Sequence, residues 1–249
     1  MTPSTEAFSP ALSARDRIIV ALDVDSGDKA REVVDELRGA VGAFKIGLQL
    51  FTAAGPELVK ETAEKGVKVF LDLKFHDIPN TVAKASVEAA RMGVWMFNVH
   101  CLGGSQMMRQ AVVETREACE KESLKKPLII GVTVLTSSTD ETLAQTGIKG
   151  PVNERVAHLA RLSSDCGLDG VVASPLEVRE VRNAVADAGF ITVTPGIRAK
   201  HATGDDQQRV TTCREAIANG SDFVVIGRPI LEARYRSLAV QQIVDDVTA

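Results

Sequence analysis

Val69-Phe-Leu-Asp-Leu-Lys-Phe-His-Asp-Ile-Pro-Asn-Thr81 is the stretch on which the fold turns. Its first half belongs to an apolar run from Val67 to Leu73 and reads as a strand. Pro79 then suits the first turn of a helix, where a missing N–H leaves nothing unpaired. Asp72 and Lys74 interrupt the pattern. They are two apart, so on a strand they share one face, and Asp77 adds a third charge directly after them. Two readings are open for such a pair: charges solvated on a loop, or a functional pair at a strand's end.

Working outward, the same rhythm recurs. Strands are expected at 17–23, 42–46, 67–73, 94–99, 127–135, 168–173, 190–194 and 222–226. Helical segments separate them. One is capped by Ser26 and carries Val33, Val34 and Leu37; others cover 55–65, 79–92, a stretch from Gly103-Gly104 through Cys119, and 152–165. A further helix is expected to open at Pro175 and run to 187. Another ends near Asn219-Gly220, and a last one closes the chain. Two polar loops are expected, at 136–150 and 197–209. Short strands alternating with helical crossovers argue for a parallel sheet. Eight such units in about 235 residues suit a single closed (β/α)8 TIM barrel, an α/β fold, over residues 16–249. An open doubly wound sheet is the alternative, but no Gly-x-Gly-x-x-Gly follows the first strand. Residues 1–15, rich in Ser, Thr, Pro and Ala, read as a surface tail without the apolar core of a signal peptide.

Composition sets limits on function. The net charge is −4 and no basic block is present, so neither duplex nucleic acid nor an anionic membrane is an expected partner. No apolar run reaches the length of a membrane span. Cys101, Cys119, Cys166 and Cys213 form no Cys-x-x-Cys pair and read as reduced, packed thiols of a cytoplasmic protein. His76, His100, His158 and His201 are scattered, so no histidine metal site is expected.

A barrel of this kind places its active site at the C-terminal ends of the strands. The polar residues expected there are Asp23, Lys45, then Asp72, Lys74 and Asp77, and Thr136 after the fifth strand. Any one of them alone reads equally well as a surface residue, whereas together they alternate acid and base around one mouth. After the last two strands come Thr194-Pro-Gly-Ile-Arg198 and Ile226-Gly-Arg-Pro-Ile230. Barrels often hold phosphate in these two loops, on backbone N–H groups at a helix start, and an arginine adds a charge-assisted contact. The competing reading is two tight turns and a solvated arginine. The polar loop at 197–209 suits a mobile lid, or an idle surface loop.

Asp72-x-Lys74-x-x-Asp77-Ile-Pro-Asn-Thr81, preceded by Asp23 and Lys45, resembles the orotidine 5′-phosphate decarboxylase family. Thr194-Pro-Gly-Ile-Arg198, Gln207 nine residues on, and Gly227-Arg228 extend the resemblance, which covers the chain from Arg17 onward. The Asp-x-Lys-x-x-Asp core is shared with sugar-phosphate barrels; the two longer motifs are more specific. The resemblance implies conversion of orotidine 5′-phosphate to UMP and carbon dioxide, with no metal or cofactor. It implies Lys74 as proton donor to C6 of the pyrimidine and Asp72 beside the departing carboxylate. Lys45 and Asp23 would hold ribose hydroxyls and extend the array. Thr136, with Ser137 close by, would contact the base. Gln207 would bridge base and phosphate, and Arg198, Gly227 and Arg228 would bind phosphate. Asp77 and Thr81 would reach the neighbouring subunit's site, in a homodimer with shared sites.

The chemistry is consistent with those roles. Loss of carbon dioxide leaves a carbanion at C6 with no organic electron sink, and a fixed ammonium stabilises that charge and then delivers the proton. Two other classes remain in view. A magnesium-dependent sugar-phosphate enzyme of related fold would carry a glutamate near the end of the second strand, where this chain has Lys45-Ile-Gly-Leu-Gln49. A barrel that only binds nucleotides would not need Asp72 next to a substrate carboxylate.

Overall fold

The computed structural model describes residues 12–197 and 211–248. Eight strands close into a parallel barrel in chain order: β1 (Ile18–Ala21), β2 (Ala43–Gly47), β3 (Val69–Phe75), β4 (Met96–His100), β5 (Leu128–Val132), β6 (Gly170–Val172), β7 (Ile191–Thr194) and β8 (Phe223–Ile226). β8 pairs back onto β1, with Ile19 opposite Val225. The surrounding helices are α1 (Gly27–Leu37), α2 (Leu48–Glu64), α3 (Pro79–Arg91), α4 (Gly104–Glu122), α5 (Asp140–Gln145), α6 (Val152–Asp165), α7 (Val178–Ala184), α8 (Cys213–Ala218), α9 (Arg228–Leu231) and α10 (Arg236–Thr248). Among the described residues, no helix is long and apolar enough to cross a membrane.

Strand alternation sorts the apolar residues into two layers. Ile18, Val20, Phe44, Ile46, Val69, Leu71, Phe97 and Val99 face outward and form the large core under the helices. Ile19, Ala21, Ala43, Phe70, Met96, Ile130, Ile191 and Phe223 face inward and fill the barrel. Trp95 packs edge-on against Phe223 at the N-terminal end of the barrel, and Leu12, within the stretch read as a tail, is partly buried against the same inner cluster. Following the inner face toward the C-terminal ends, Ala21 is succeeded by Asp23, Ala43 by Lys45, Phe70 by Asp72 and Met96 by Asn98. The barrel is therefore apolar at its base and polar at its mouth, and that gradient positions the site.

The helix caps follow the sequence in places and depart from it in others. Ser26 accepts from Lys29 N–H at the start of α1, whose Ala30, Val33, Val34 and Leu37 are buried, as the apolar spacing requires. The helix expected from 55 begins earlier, at Leu48, and is broken at Gly55, whose φ of 71° interrupts it ahead of Pro56. A short helix, α5, occupies the expected polar loop at 136–150, held by a reciprocal cap between Thr139 and Thr142. The helix expected from Pro175 begins only at Val178, because the Glu177 carboxylate turns back to accept from Ser174 N–H and holds a turn there.

Candidate active site

Four charged groups meet at the mouth. Lys45 on β2 lies 3.1 Å from Asp23 Oδ1 and 3.6 Å from Asp72 Oδ2, and Lys74 Nζ lies 2.7 Å from Asp72 Oδ1. The side chains of Lys45 and Asp72 are 11% and 14% exposed, against 31% for Lys74 and 56% for Asp23. The acid–base pair at the centre is thus screened from water, while Asp23 and Lys74 border the opening. Of the six residues expected around one mouth, the structure brings these four together, and Asp72 and Lys74 pair at the end of β3 instead of lying solvated on a loop.

The local backbone explains how Lys74 gets there. β3 and β4 pair regularly through Phe70–Met96 and Leu71–Phe97, then resume at Phe75–Val99, four residue steps on β3 against two on β4. The strand bulges between these points. Lys74 has φ of 53°, a left-handed conformation seldom adopted by a long side chain. Simple alternation along a flat strand is therefore not what brings Asp72 and Lys74 together; the bulge is. Asn98 on β4 fills the gap. Its Oδ1 accepts from Lys74 N–H at 2.8 Å and its Nδ2 donates to Asp72 Oδ1 at 2.7 Å.

The electrostatics of Asp72 are a balance. Burial pushes its carboxyl up, but Lys45 and Lys74, with hydrogen bonds from Lys74 and Asn98, outweigh burial and hold it below the usual carboxylate range. Asp72 is therefore a fixed negative charge. Near Lys74, His76 and His100 stack with ring centroids 5.2 Å apart. Burial, then the neighbouring His76 and Lys74, push His100 down to about 4, so it is neutral at physiological pH.

Close backbone approach is needed at two glycines. A Cβ on Gly47 would stand 2.9 Å from Lys45 Nζ, and one on Gly227 would stand 3.3 Å from Asp23 Oδ2. The second contact sets the loop after β8 directly beside the charged array. Arg228 is exposed and, with Pro229, opens α9 there. Thr136 is half-buried beyond the C-terminal end of β5, and Ser137 beside it is exposed.

Asp77 and Thr81 do not join the array. Asp77 accepts from Ile78 N–H at 2.6 Å on an exposed turn, and the described residues give it no ion-pair partner. Thr81 is exposed in the first turn of α3. Arg198 and Gln207 lie outside the described residues. Asn98 escaped the sequence reading, although its place two residues after Met96, on the inner face of an apolar strand, was a usable signal. Among the described residues, no three His, Cys, Asp or Glu side chains gather as a metal-binding group.

A closed (β/α)8 barrel with a lysine–aspartate–lysine array at its mouth and a glycine–arginine turn after β8 defines the class of barrel proteins whose charged site lies at the C-terminal ends of the strands. Residues 16–243 match the family described as orotidine 5′-phosphate decarboxylase / HUMPS, and the chain belongs to that family. The orotidine 5′-phosphate decarboxylase of Syntrophotalea carbinolica is 53% identical over 238 residues, spanning 96% of this chain and 97% of its own length. That of Legionella pneumophila (strain Corby) is 51% identical over 217 residues, or 87% of this chain and 93% of its own. The crystal structure of orotidine 5′-phosphate decarboxylase from Lactobacillus acidophilus superposes with a TM-score of 0.82 at 35% identity, covering 93% of this chain and 99% of that one.

Proposed function

We propose that this chain converts orotidine 5′-phosphate to UMP and carbon dioxide in de novo pyrimidine synthesis, without metal or cofactor. The observation that carries the reading is the Lys45–Asp72–Lys74 array, held within 2.7–3.6 Å at the mouth of a barrel of this family. The bond from C6 to its carboxylate breaks, carbon dioxide leaves, and the electron pair remains on C6. The Lys74 ammonium stabilises that pair and passes it a proton. Asp72, fixed as an anion, lies where the substrate carboxylate would crowd it and is relieved as that charge departs. Lys45 and Asp23 hold the ribose hydroxyls, and Thr136 contacts the base. Gly227 and Arg228, with Arg198 and Gln207 from outside the described residues, take the phosphate. Because the phosphate is remote from the breaking bond, its binding energy is available to assemble the array around the substrate.

The assembly proposed is a homodimer in which Asp77 and Thr81 complete the neighbour's site. In support, Ile78 between them is 66% exposed, and Leu48, Leu102, Leu135 and Leu176 are exposed just past the ends of β2, β4, β5 and β6. An apolar rim around a charged mouth suits burial against a second copy. Four free, buried thiols suit a cytoplasmic setting.

The test is the fall in absorbance of orotidine 5′-phosphate, with and without EDTA, on wild type and Lys74→Ala. EDTA-insensitive turnover lost in the variant is the expected result. Full activity of Lys74→Ala would remove the role given to Lys74, and EDTA-sensitive turnover of a keto-sugar phosphate would replace the substrate.

A further inference from the structure

We propose that Asn98 is a positioning residue for this reaction, setting the separation of Lys74 and Asp72 through the two ends of one carboxamide. The inference rests on the decarboxylase reading above and deepens it. Asn98 is 1% exposed, so its amide has to be satisfied by protein partners. Those partners fix its orientation. Lys74 N–H is only a donor and an ionised Asp72 is only an acceptor, so Oδ1 must face the first and Nδ2 the second.

The need for such a residue follows from the bulge. Between Leu71 and Phe75 the β3–β4 ladder is interrupted, and Lys74 N–H turns to a side-chain acceptor on β4. The left-handed backbone at Lys74 is strained for a residue with a Cβ, so something must hold it there. Asn98 Oδ1 is that acceptor. The same side chain grips Asp72 Oδ1, the oxygen that receives Lys74 Nζ. Backbone of the proton donor and carboxylate of its partner are thereby tied to a single rigid point on the neighbouring strand. The flexible Lys74 side chain starts from a fixed Cα and ends at a fixed anion.

Two variants separate positioning from mere stability. Asn98→Leu keeps the branched outline of the side chain and removes both hydrogen bonds. It is expected to lower kcat about 100-fold with KM little changed, the loss typical of displaced catalytic groups. It also withdraws a hydrogen bond that favours ionised Asp72, leaving Lys45 and Lys74 facing it and Asp23 one step beyond. The acid limb of kcat/KM therefore moves to higher pH. Asn98→Asp keeps the acceptor for Lys74 N–H but sets a second carboxylate against Asp72, and the two share a proton. Its protonated form restores an O–H donor, so its kcat is expected to rise as pH falls, against the wild-type trend.

Activities are to be scaled to folded protein, measured by circular dichroism and by UMP binding. Wild-type kcat per folded molecule and a wild-type acid limb in both variants would overturn the proposal, even with a lowered Tm. Should Asn98→Leu fail to fold, the pH response of Asn98→Asp decides alone. Lys74→Ala is run alongside: if it is inactive while both Asn98 variants are normal, only the positioning role falls, and if it is active the decarboxylase mechanism falls with it.

Discussion

The barrel carries charge at both ends, and the two ends use it differently. At the base, Asp222 lies just ahead of β8, and its Oδ2 accepts from Thr192 N–H of β7 at 2.7 Å and from Arg182 Nη2 at 2.5 Å. Arg182 in turn donates to the carbonyls of Gly220 and Phe190. Asp169, ahead of β6, repeats the arrangement by accepting from Ile129 N–H of β5 and from Arg116. These charges are consumed by backbone groups and join one strand to the next. At the mouth, Asp23, Lys45, Asp72 and the Lys74 ammonium are bound to one another, and among the described residues it is Asn98 that links them to backbone. A charge that satisfies main chain is a fastening; a charge that satisfies only another side chain remains able to respond to a substrate. Similar residue types therefore do opposite work depending on what they touch.

Substitutions can break this contrast. The largest effect is expected from Lys74→Ala, with turnover lowered by at least about 10⁴-fold, since both charge stabilisation and proton delivery are lost. Its Tm should hardly change, because the ammonium fastens no backbone. Asp222→Ala should do the reverse. Leaving Thr192 N–H unsatisfied and Arg182 without its counter-ion, though still bonded to the carbonyls of Gly220 and Phe190, should cost about 2 kcal/mol, or roughly 6 °C in Tm, with turnover per folded molecule intact. A thermal melt and an initial-rate assay on both proteins check the pair; a Tm collapse in Lys74→Ala or an inactive but stable Asp222→Ala would erase the distinction.

Smaller changes sharpen it. Gly47 has an ordinary φ of −96°, so alanine there introduces no backbone strain. Its Cβ would nonetheless displace Lys45 Nζ. We expect kcat/KM to fall about tenfold, with Tm preserved. The least effect concerns His100. The unfolded chain takes up a proton near the ordinary value of 6.5, whereas the folded residue resists until about 4. Unfolding thus binds more protons in that window, and the stability present above pH 6.5 declines as pH falls toward 4. His100→Gln lacks this share of the slope, so its Tm should fall less than the wild type's over the same range.

The sequence made the barrel legible through rhythm, and most of the mouth through parity. Asp23, Lys45 and Asp72 each stand two residues beyond an inward apolar residue, so knowing the strands locates them. Lys74 was located for an incomplete reason: its approach to Asp72 depends on a bulge and a left-handed backbone that no propensity assigns to lysine. Asn98 was lost inside Met96-Phe-Asn-Val-His100 because apolar content marks a strand without distinguishing its faces. α5 was missed because its cap pairs two threonines, and a Thr-rich stretch reads as loop until the reciprocal bonds are seen. The part of α2 ahead of Gly55 was missed because its N-cap is Gly47, which offers no capping side chain.

The buried cysteines have a practical consequence. Burial pushes Cys101 and Cys213 up to about 12, and raises Cys119 and Cys166 as well. A thiol-specific reagent attacks the thiolate, so in the closed barrel it finds neither access nor a nucleophile. Labelling can then proceed only through molecules that have opened. Because the four thiols sit after β4, in α4, after α6 and in α8, the order in which they react would report the sequence in which the barrel comes apart.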